Sequence, residues 1–210
     1  MIKNIIFDLG DIFIDLDHEK SKNELLNLGI SQFTDEMIQI NGSYEKGLIS
    51  TLKFLEYYKI VFSNISEKQL VDSWNSILMD FPKHRLSFLE AISSKYRLFL
   101  LSNTNELHID YFKAQVGYDF YRRFESSFEK IYYSHEINYR KPEKEAFQMI
   151  VVENNLEFSE TLFVDDQLQN IESAKKLGIH TWHLNPDKEE VVELFTVKGD
   201  LFGQEAVKVV

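Results

Sequence analysis

Three short apolar runs, each stopping on a polar residue, constrain this chain more than any other feature. Ile5-Ile6-Phe7 ends at Asp8, Leu98-Phe99-Leu100-Leu101 at Ser102, and Leu162-Phe163-Val164 at Asp165. Runs this short, without polar alternation, fit strands buried on both faces, as in a parallel sheet covered by helices. Helical stretches lie between them, which gives the strand–helix alternation of an α/β domain. Residues 130–134 and 180–184 supply two further strands. Ligands of such sheets sit outside the carboxyl ends of the strands. The polar residues at the three strand ends are therefore expected to meet in one crevice.

Helical spacing accounts for much of the rest. Between the last two strand signals, residues 143–154 carry Ala146, Phe147, Ile150 and Val151 on one face, with Pro142 in a first-turn position. A second helix covers residues 170–177, and Gly178 is placed to stop it. Residues 17–85 read differently. Phe33 and Met37, Leu52 and Leu55, and Leu70, Trp74, Ile77 and Leu78 recur at helical intervals, with Thr34, Ser50 and Ser66 as N-cap signals. No buried strand is visible there. The spacing predicts a helical insert over 17–85 within an α/β core made of 1–16 and 86–210, with 198–210 as a loose tail.

Composition narrows the function. Apolar residues form 44% of the 210, enough for a sizeable core. A net charge of −11, with no basic run, excludes a general nucleic-acid binder. Absence of cysteine excludes disulfides, a thiolate nucleophile and cysteine-ligated zinc. No signal-peptide pattern and no apolar run of bilayer length are present, so a cytoplasmic protein without a membrane partner is expected. The oligomeric state is not legible. The six histidines show no metal-ligand spacing. His180 and His183 flank Trp182 on a strand and read as structural, and the aromatic residues Tyr44, Phe54, Tyr57, Tyr58 and Trp74 read mainly as core of the insert.

The strand ends carry the chemistry. Asp8, Asp165 and Asp166 bring three carboxylates to one crevice, where like charges raise one another's pKa unless a cation joins them. Oxygen-only ligands suit a hard ion, and few carboxylates with water and substrate phosphate is the style of Mg²⁺. Lys141 adds a fixed positive charge at a helix start, and Ser102, Asn103 and Thr104 offer hydroxyl, amide and backbone donors. Cation, lysine and donors together describe a pocket for a phosphoryl group. Asp8 is then suited to nucleophilic attack on phosphorus through an aspartyl-phosphate.

In this order the motifs resemble those of the haloacid dehalogenase-like (HAD) hydrolases: Phe7-Asp8-Leu9-Gly10, Leu101-Ser102-Asn103, Lys141-Pro142 and Val164-Asp165-Asp166. The longer stretches Ser102-Asn103-Thr104-Asn105, Asp165-Asp166 with Asn170, and Leu177-Gly178-Ile179 sharpen the likeness, which spans nearly the whole chain. Within the family, the FDLG-type first motif and the LSNTN stretch look like the bacterial α-D-glucose-1-phosphate phosphatases. The resemblance implies a three-layer Rossmann-like core with a C1-type helical cap, and hydrolysis of a small phosphorylated substrate, possible sugar phosphates included. It also implies roles. Asp8 would be nucleophile and Mg²⁺ ligand, the Gly10 carbonyl a second metal oxygen, Asp166 a direct ligand, and Asp165 a ligand directly or through water. Ser102, with Asn103 beside it, would bind the phosphoryl group, and Lys141 would neutralise it together with the nucleophile.

Gly10 departs from the pattern, because most phosphatases of the family carry a second aspartate there as acid and base. General acid–base help is worth about 10²–10⁴-fold. Its absence leaves three readings: substrates with good leaving groups, a substitute such as Asp11, Asp15 or His18, or a weak enzyme that mainly binds phosphate ligands. A 2-haloacid dehalogenase-like hydrolase also dispenses with that acid, but needs no metal, which leaves the Asp165-Asp166 pair unexplained. Glu45 and Lys46, near the Gly47 turn, are candidates for contact with the leaving group.

Overall fold

Strand registers show how the sheet aligns the strand ends. The computed structural model describes residues 1–203. Its strands are β1 (Asn4–Phe7), β2 (Arg97–Ser102), β3 (Lys130–Tyr133), β4 (Thr161–Asp165) and β5 (His180–His183), all parallel in the order β3-β2-β1-β4-β5. The most apolar strand, β1, lies in the centre, where both its edges and both its faces are covered. Phe7 stands level with Leu100 of β2 and Val164 of β4. Asp8 and Asp165, each one residue further on, therefore emerge side by side.

Alternation of side chains across the sheet splits the apolar runs between two layers. Ile5, Phe7, Leu98, Leu100, Leu162 and Val164 enter one apolar cluster. Ile6, Phe99, Leu101 and Phe163 enter the other. Five helices lie between β1 and β2: α1 (His18–Asn27), α2 (Asp35–Glu45), α3 (Thr51–Val61), α4 (Glu67–Asn75) and α5 (Lys83–Ser93). Then α6 (Glu106–Val116) and α7 (Tyr118–Ser126) join β2 to β3, and α8 (Ser134–Ile137) and α9 (Lys144–Glu153) join β3 to β4. Finally α10 (Leu168–Lys176) connects β4 to β5 and α11 (Leu194–Val197) follows β5. Residues of α5, α6, α7 and α11 cover the first face; those of α9 and α10 cover the second.

Helices α1–α4 bury their apolar stripes in a cluster of their own, which includes Leu25, Met37, Tyr44, Phe54, Tyr58 and Leu70. Thr34, Ser50 and Ser66 cap α2, α3 and α4, each side chain accepting a backbone N–H three residues on. The linkers into and out of this unit run side by side just past the end of β1. Asp17 N–H donates to the Ile77 carbonyl at 2.8 Å, Met79 N–H to that of Asp15 at 2.9 Å, and Asp15 N–H to that of Asp80 at 3.0 Å. The insert thus stands at the same edge of the sheet as Asp8.

Two local expectations change. Helix α9 begins at Lys144 with Glu143 as N-cap, so Pro142 precedes the helix instead of occupying its first turn. The segment from residue 198 is packed as far as residue 203, not loose. Ile2 N–H donates to the Leu201 carbonyl at 3.0 Å, and the buried Phe202 ring meets Phe195 and Tyr96 at 4.9 and 5.2 Å. The remaining seven positions of the expected tail, 204–210, lie outside the described residues. No helix among the described residues is long and apolar enough to cross a membrane.

Candidate active site

Lys141 is the hub of the site. It lies on the loop between α8 and α9, is 1% exposed, and places Nζ 2.7 Å from Asp8 Oδ1 and 2.7 Å from Asp165 Oδ2. Asn103 fixes that loop from the end of β2: its side-chain amide donates to the Lys141 carbonyl at 2.8 Å, and its side-chain oxygen accepts the Lys141 N–H at 2.8 Å. The Asn103 side chain, expected to face the phosphoryl group, is thus bonded to the Lys141 backbone, and the Asn103 backbone N–H has no acceptor among the described residues. Ser102 is buried at the cavity described below.

The acidic pair divides its tasks. Asp165 is fully buried and accepts from Lys141 Nζ, from the Gln167 N–H at 2.7 Å and from Asn170 Nδ2 at 3.0 and 3.1 Å. Asp166 is half-buried, and among the described residues its side-chain donor is the Gln167 amide. One carboxylate oxygen from each of Asp8, Asp165 and Asp166 lies within 4.8 Å of the others. The Gly10 carbonyl accepts no hydrogen bond among the described residues. It is therefore available to a ligand.

Electrostatics make the cluster short of positive charge. Burial raises the Asp8 pKa from its usual 3.8 to about 7, the Asp165 charge adds to this, and Lys141 opposes it. Burial also works against the Lys141 ammonium, but the Asp165 and Asp8 charges outweigh it and hold that group protonated. Burial, then the Asp165 charge, raises Asp166. One lysine among three carboxylates leaves a deficit, and an all-oxygen donor set of this spacing fits a hard divalent cation.

Beside Asp8 opens a cavity of about 170 Å³. Leu9, Gly10, Ile14, Leu16, Ile77 and Leu78 form an apolar wall from β1 and the linkers, and Ser102, Thr104, Asn105, His108 and Glu45 form a polar one. Glu45 comes from the end of α2, where Arg140 Nη1 stands 2.7 Å from its Oε2 but off the line of a hydrogen bond, so that buried oxygen has no hydrogen-bond donor among the described residues. Lys46 pairs with Glu143 at 3.0 Å. The insert therefore holds both sides of the Lys141 loop, at Arg140 and at Glu143.

Of the substitutes considered for position 10, none lines this cavity. Asp15 is paired with Arg85 at 2.7 Å, while Asp11 accepts the Leu16 N–H at 3.1 Å and lies 3.5 Å from His18. The partnership of Arg140 with Glu45 goes beyond what the sequence predicts. Its only signal was a basic residue directly before Lys141.

A family model described as haloacid dehalogenase-like hydrolase matches residues 5–183. The chain belongs to the haloacid dehalogenase-like hydrolases. Among curated proteins, this hydrolase is similar to the D-ribitol-5-phosphate phosphatase of Bacteroides thetaiotaomicron, 25% identical over 188 residues that cover 87% of this chain and 91% of that one. Among solved structures, a HAD family enzyme of the same organism in complex with magnesium and inorganic phosphate is 33% identical, with a TM-score of 0.80 and coverage of 90% and 97%. A HAD-like family hydrolase from Porphyromonas gingivalis is 27% identical, with a TM-score of 0.84 and coverage of 97% and 100%.

Proposed function

We propose that this hydrolase is a Mg²⁺-dependent phosphatase of small phosphomonoesters that works through an aspartyl-phosphate on Asp8. The observation that carries the reading is the buried arrangement of Asp8, Lys141 and Asp165, with Asp166 beside them and a cavity opening at Gly10 and Ser102. The curated relative, a sugar-alcohol phosphate phosphatase, and the magnesium and phosphate held by the solved neighbour agree with it. A cavity of about 170 Å³ is below the roughly 300–1,000 Å³ usual for drug-sized ligands, which favours a small leaving group such as a sugar or polyol.

The carboxylates of Asp8 and Asp166 and the Gly10 carbonyl would hold the metal, with Asp165 joining directly or through water. Bound there, Mg²⁺ supplies positive charge to the acidic cluster and to the phosphoryl oxygens. An Asp8 carboxylate oxygen forms a bond to phosphorus as the bond to the leaving oxygen breaks. Lys141 offsets negative charge on the nucleophile and the transferring group, and Ser102 donates its hydroxyl to a phosphoryl oxygen, aided by the Asn103 N–H. Water then attacks phosphorus, the bond to Asp8 breaks, and phosphate leaves. Residues 17–85 act as the cap, excluding water from the cavity and reading the leaving group.

Phosphate release from a panel of small phosphomonoesters tests this. Wild type with Mg²⁺ should turn over, and chelation or Asp8→Asn should abolish release. A silent panel with folded wild type that still binds phosphate would favour a binding role, and metal-independent halide release from a 2-haloacid would favour a dehalogenase.

A further inference from the structure

The alcohol of an alkyl phosphate departs as an alkoxide unless its oxygen is protonated, and a positioned acid is worth about 10²–10⁴-fold. Gly10 cannot supply that proton. Two titratable side chains line the cavity beside Asp8: Glu45 and His108. His108 is committed. Its Nε2 lies 3.1 Å from the Trp74 carbonyl, which only accepts, so Nε2 carries the hydrogen, and Nδ1 accepts from Asn105 Nδ2 at 3.2 Å. Burial pushes its pKa down to about 4, which leaves it neutral and without a proton to spare near pH 7.

Glu45 differs on each count. Its backbone is fixed, because its carbonyl accepts the Ser134 hydroxyl at 2.6 Å. Its Oε2 is buried beside Arg140 and lacks a hydrogen-bond donor among the described residues. Burial raises its pKa, with Arg140 opposing, which favours keeping a proton longer than an ordinary glutamate does. We propose that Glu45 of the insert is the catalytic acid and base of this active site, in the place that Gly10 leaves open. The proposal rests on the phosphatase reading above. In the first step the Glu45 carboxyl proton passes to the leaving oxygen as its bond to phosphorus breaks and the bond to Asp8 forms. In the second, the Glu45 carboxylate takes a proton from the water that attacks phosphorus, and the cycle closes with both carboxyl groups restored.

A purely structural Glu45 would hold the insert to the core through Arg140 and nothing more. Leaving-group dependence separates the two roles. Wild type, Glu45→Gln and Arg140→Met, with melting curves to check folding, are assayed with Mg²⁺ on p-nitrophenyl phosphate, whose leaving group needs no proton, and on glycerol 3-phosphate, whose leaving group does. E45Q should lower kcat/KM for the alkyl ester by about 10²–10⁴-fold and for the aryl ester by at least tenfold less. R140M should lower both by a similar factor. Should E45Q fail to fold, Glu45→Asp, one methylene shorter, should widen the aryl-to-alkyl ratio in the same sense. Equal losses on both substrates for the Glu45 variants, or a wild type active on the aryl ester alone, would overturn the proposal. A wild type silent on the whole phosphomonoester panel would instead remove the phosphatase reading beneath it.

Discussion

Replacing Gly10 by aspartate puts a carboxyl group on the wall of the cavity that Glu45 faces, and the structure sets the cost. Gly10 is not in the left-handed region, so its backbone accepts an L-residue. A Cβ there would stand 2.8 Å from Leu16 Cδ1, with Leu16 Cγ at 3.6 Å and Cδ2 at 3.9 Å. The obstacle is the tip of one partly buried, flexible side chain, to which all three of the nearest atoms belong. Moving Leu16 off its rotamer costs about 0.5–1.5 kcal/mol. With the added carboxylate beside an acidic cluster, the total should be on the order of 1–3 kcal/mol. Urea unfolding of wild type, G10D, Leu16→Ala and the double variant measures it. In the L16A background G10D should cost less by at least about 0.5 kcal/mol, because the clash is gone. Equal cost in both backgrounds would refute the steric account. The same double variant built into E45Q should regain turnover of glycerol 3-phosphate. If the folded triple variant regains none, a carboxyl at position 10 does not reach the leaving oxygen.

Three further outcomes follow from the geometry. Below pH 6.5 the unfolded chain protonates His108 while the folded protein holds it neutral down to about 4. Folding stability should therefore fall by roughly 3 kcal/mol as the pH drops across that window, and H108Q should flatten the dependence in urea titrations. Burial holds the folded Asp8 proton to higher pH than in the unfolded chain, so metal-free stability should decline as the pH rises above the usual carboxylate range. Saturating Mg²⁺ reverses this by binding the carboxylates. At 100-fold over Kd it should add about 2.7 kcal/mol and raise Tm by roughly 5–10 °C, with a much smaller shift in D166N. Gly47 has φ +64° and a Cβ there would meet the His135 carbonyl oxygen at 1.9 Å. G47A should lose at least about 2 kcal/mol in thermal melting through strain at the junction of α2 and α8.

Much of this was legible in the sequence because buried parallel strands leave a one-dimensional mark. Full burial of Ile5, Ile6 and Phe7 demands an unbroken apolar run, and the change to Asp8 records where the sheet ends. The N-caps of the insert were equally readable, since Thr34, Ser50 and Ser66 act on backbone three residues away. Long-range pairings left no such mark. Nothing local signals that Arg140 stands against Glu45, 95 positions earlier, or that Asn103 bonds both backbone groups of Lys141. The packing of Phe202 on Tyr96 and Phe195 was hidden for the same reason: a lone aromatic near the end of a chain has no periodicity. Nor does anything local signal that Leu16 fills the space a side chain at Gly10 would need.

Hydrolysis turns on the covalent step at Asp8. Rapid acid quench during turnover with Mg²⁺, followed by mass spectrometry of the peptide containing residues 5–17, measures it most directly. One phosphoryl group should be found on Asp8, lost on treatment with hydroxylamine and absent from D8N. Turnover at full rate in D8N, or a phosphoryl group carried by another residue while Asp8 stays free, would contradict the account.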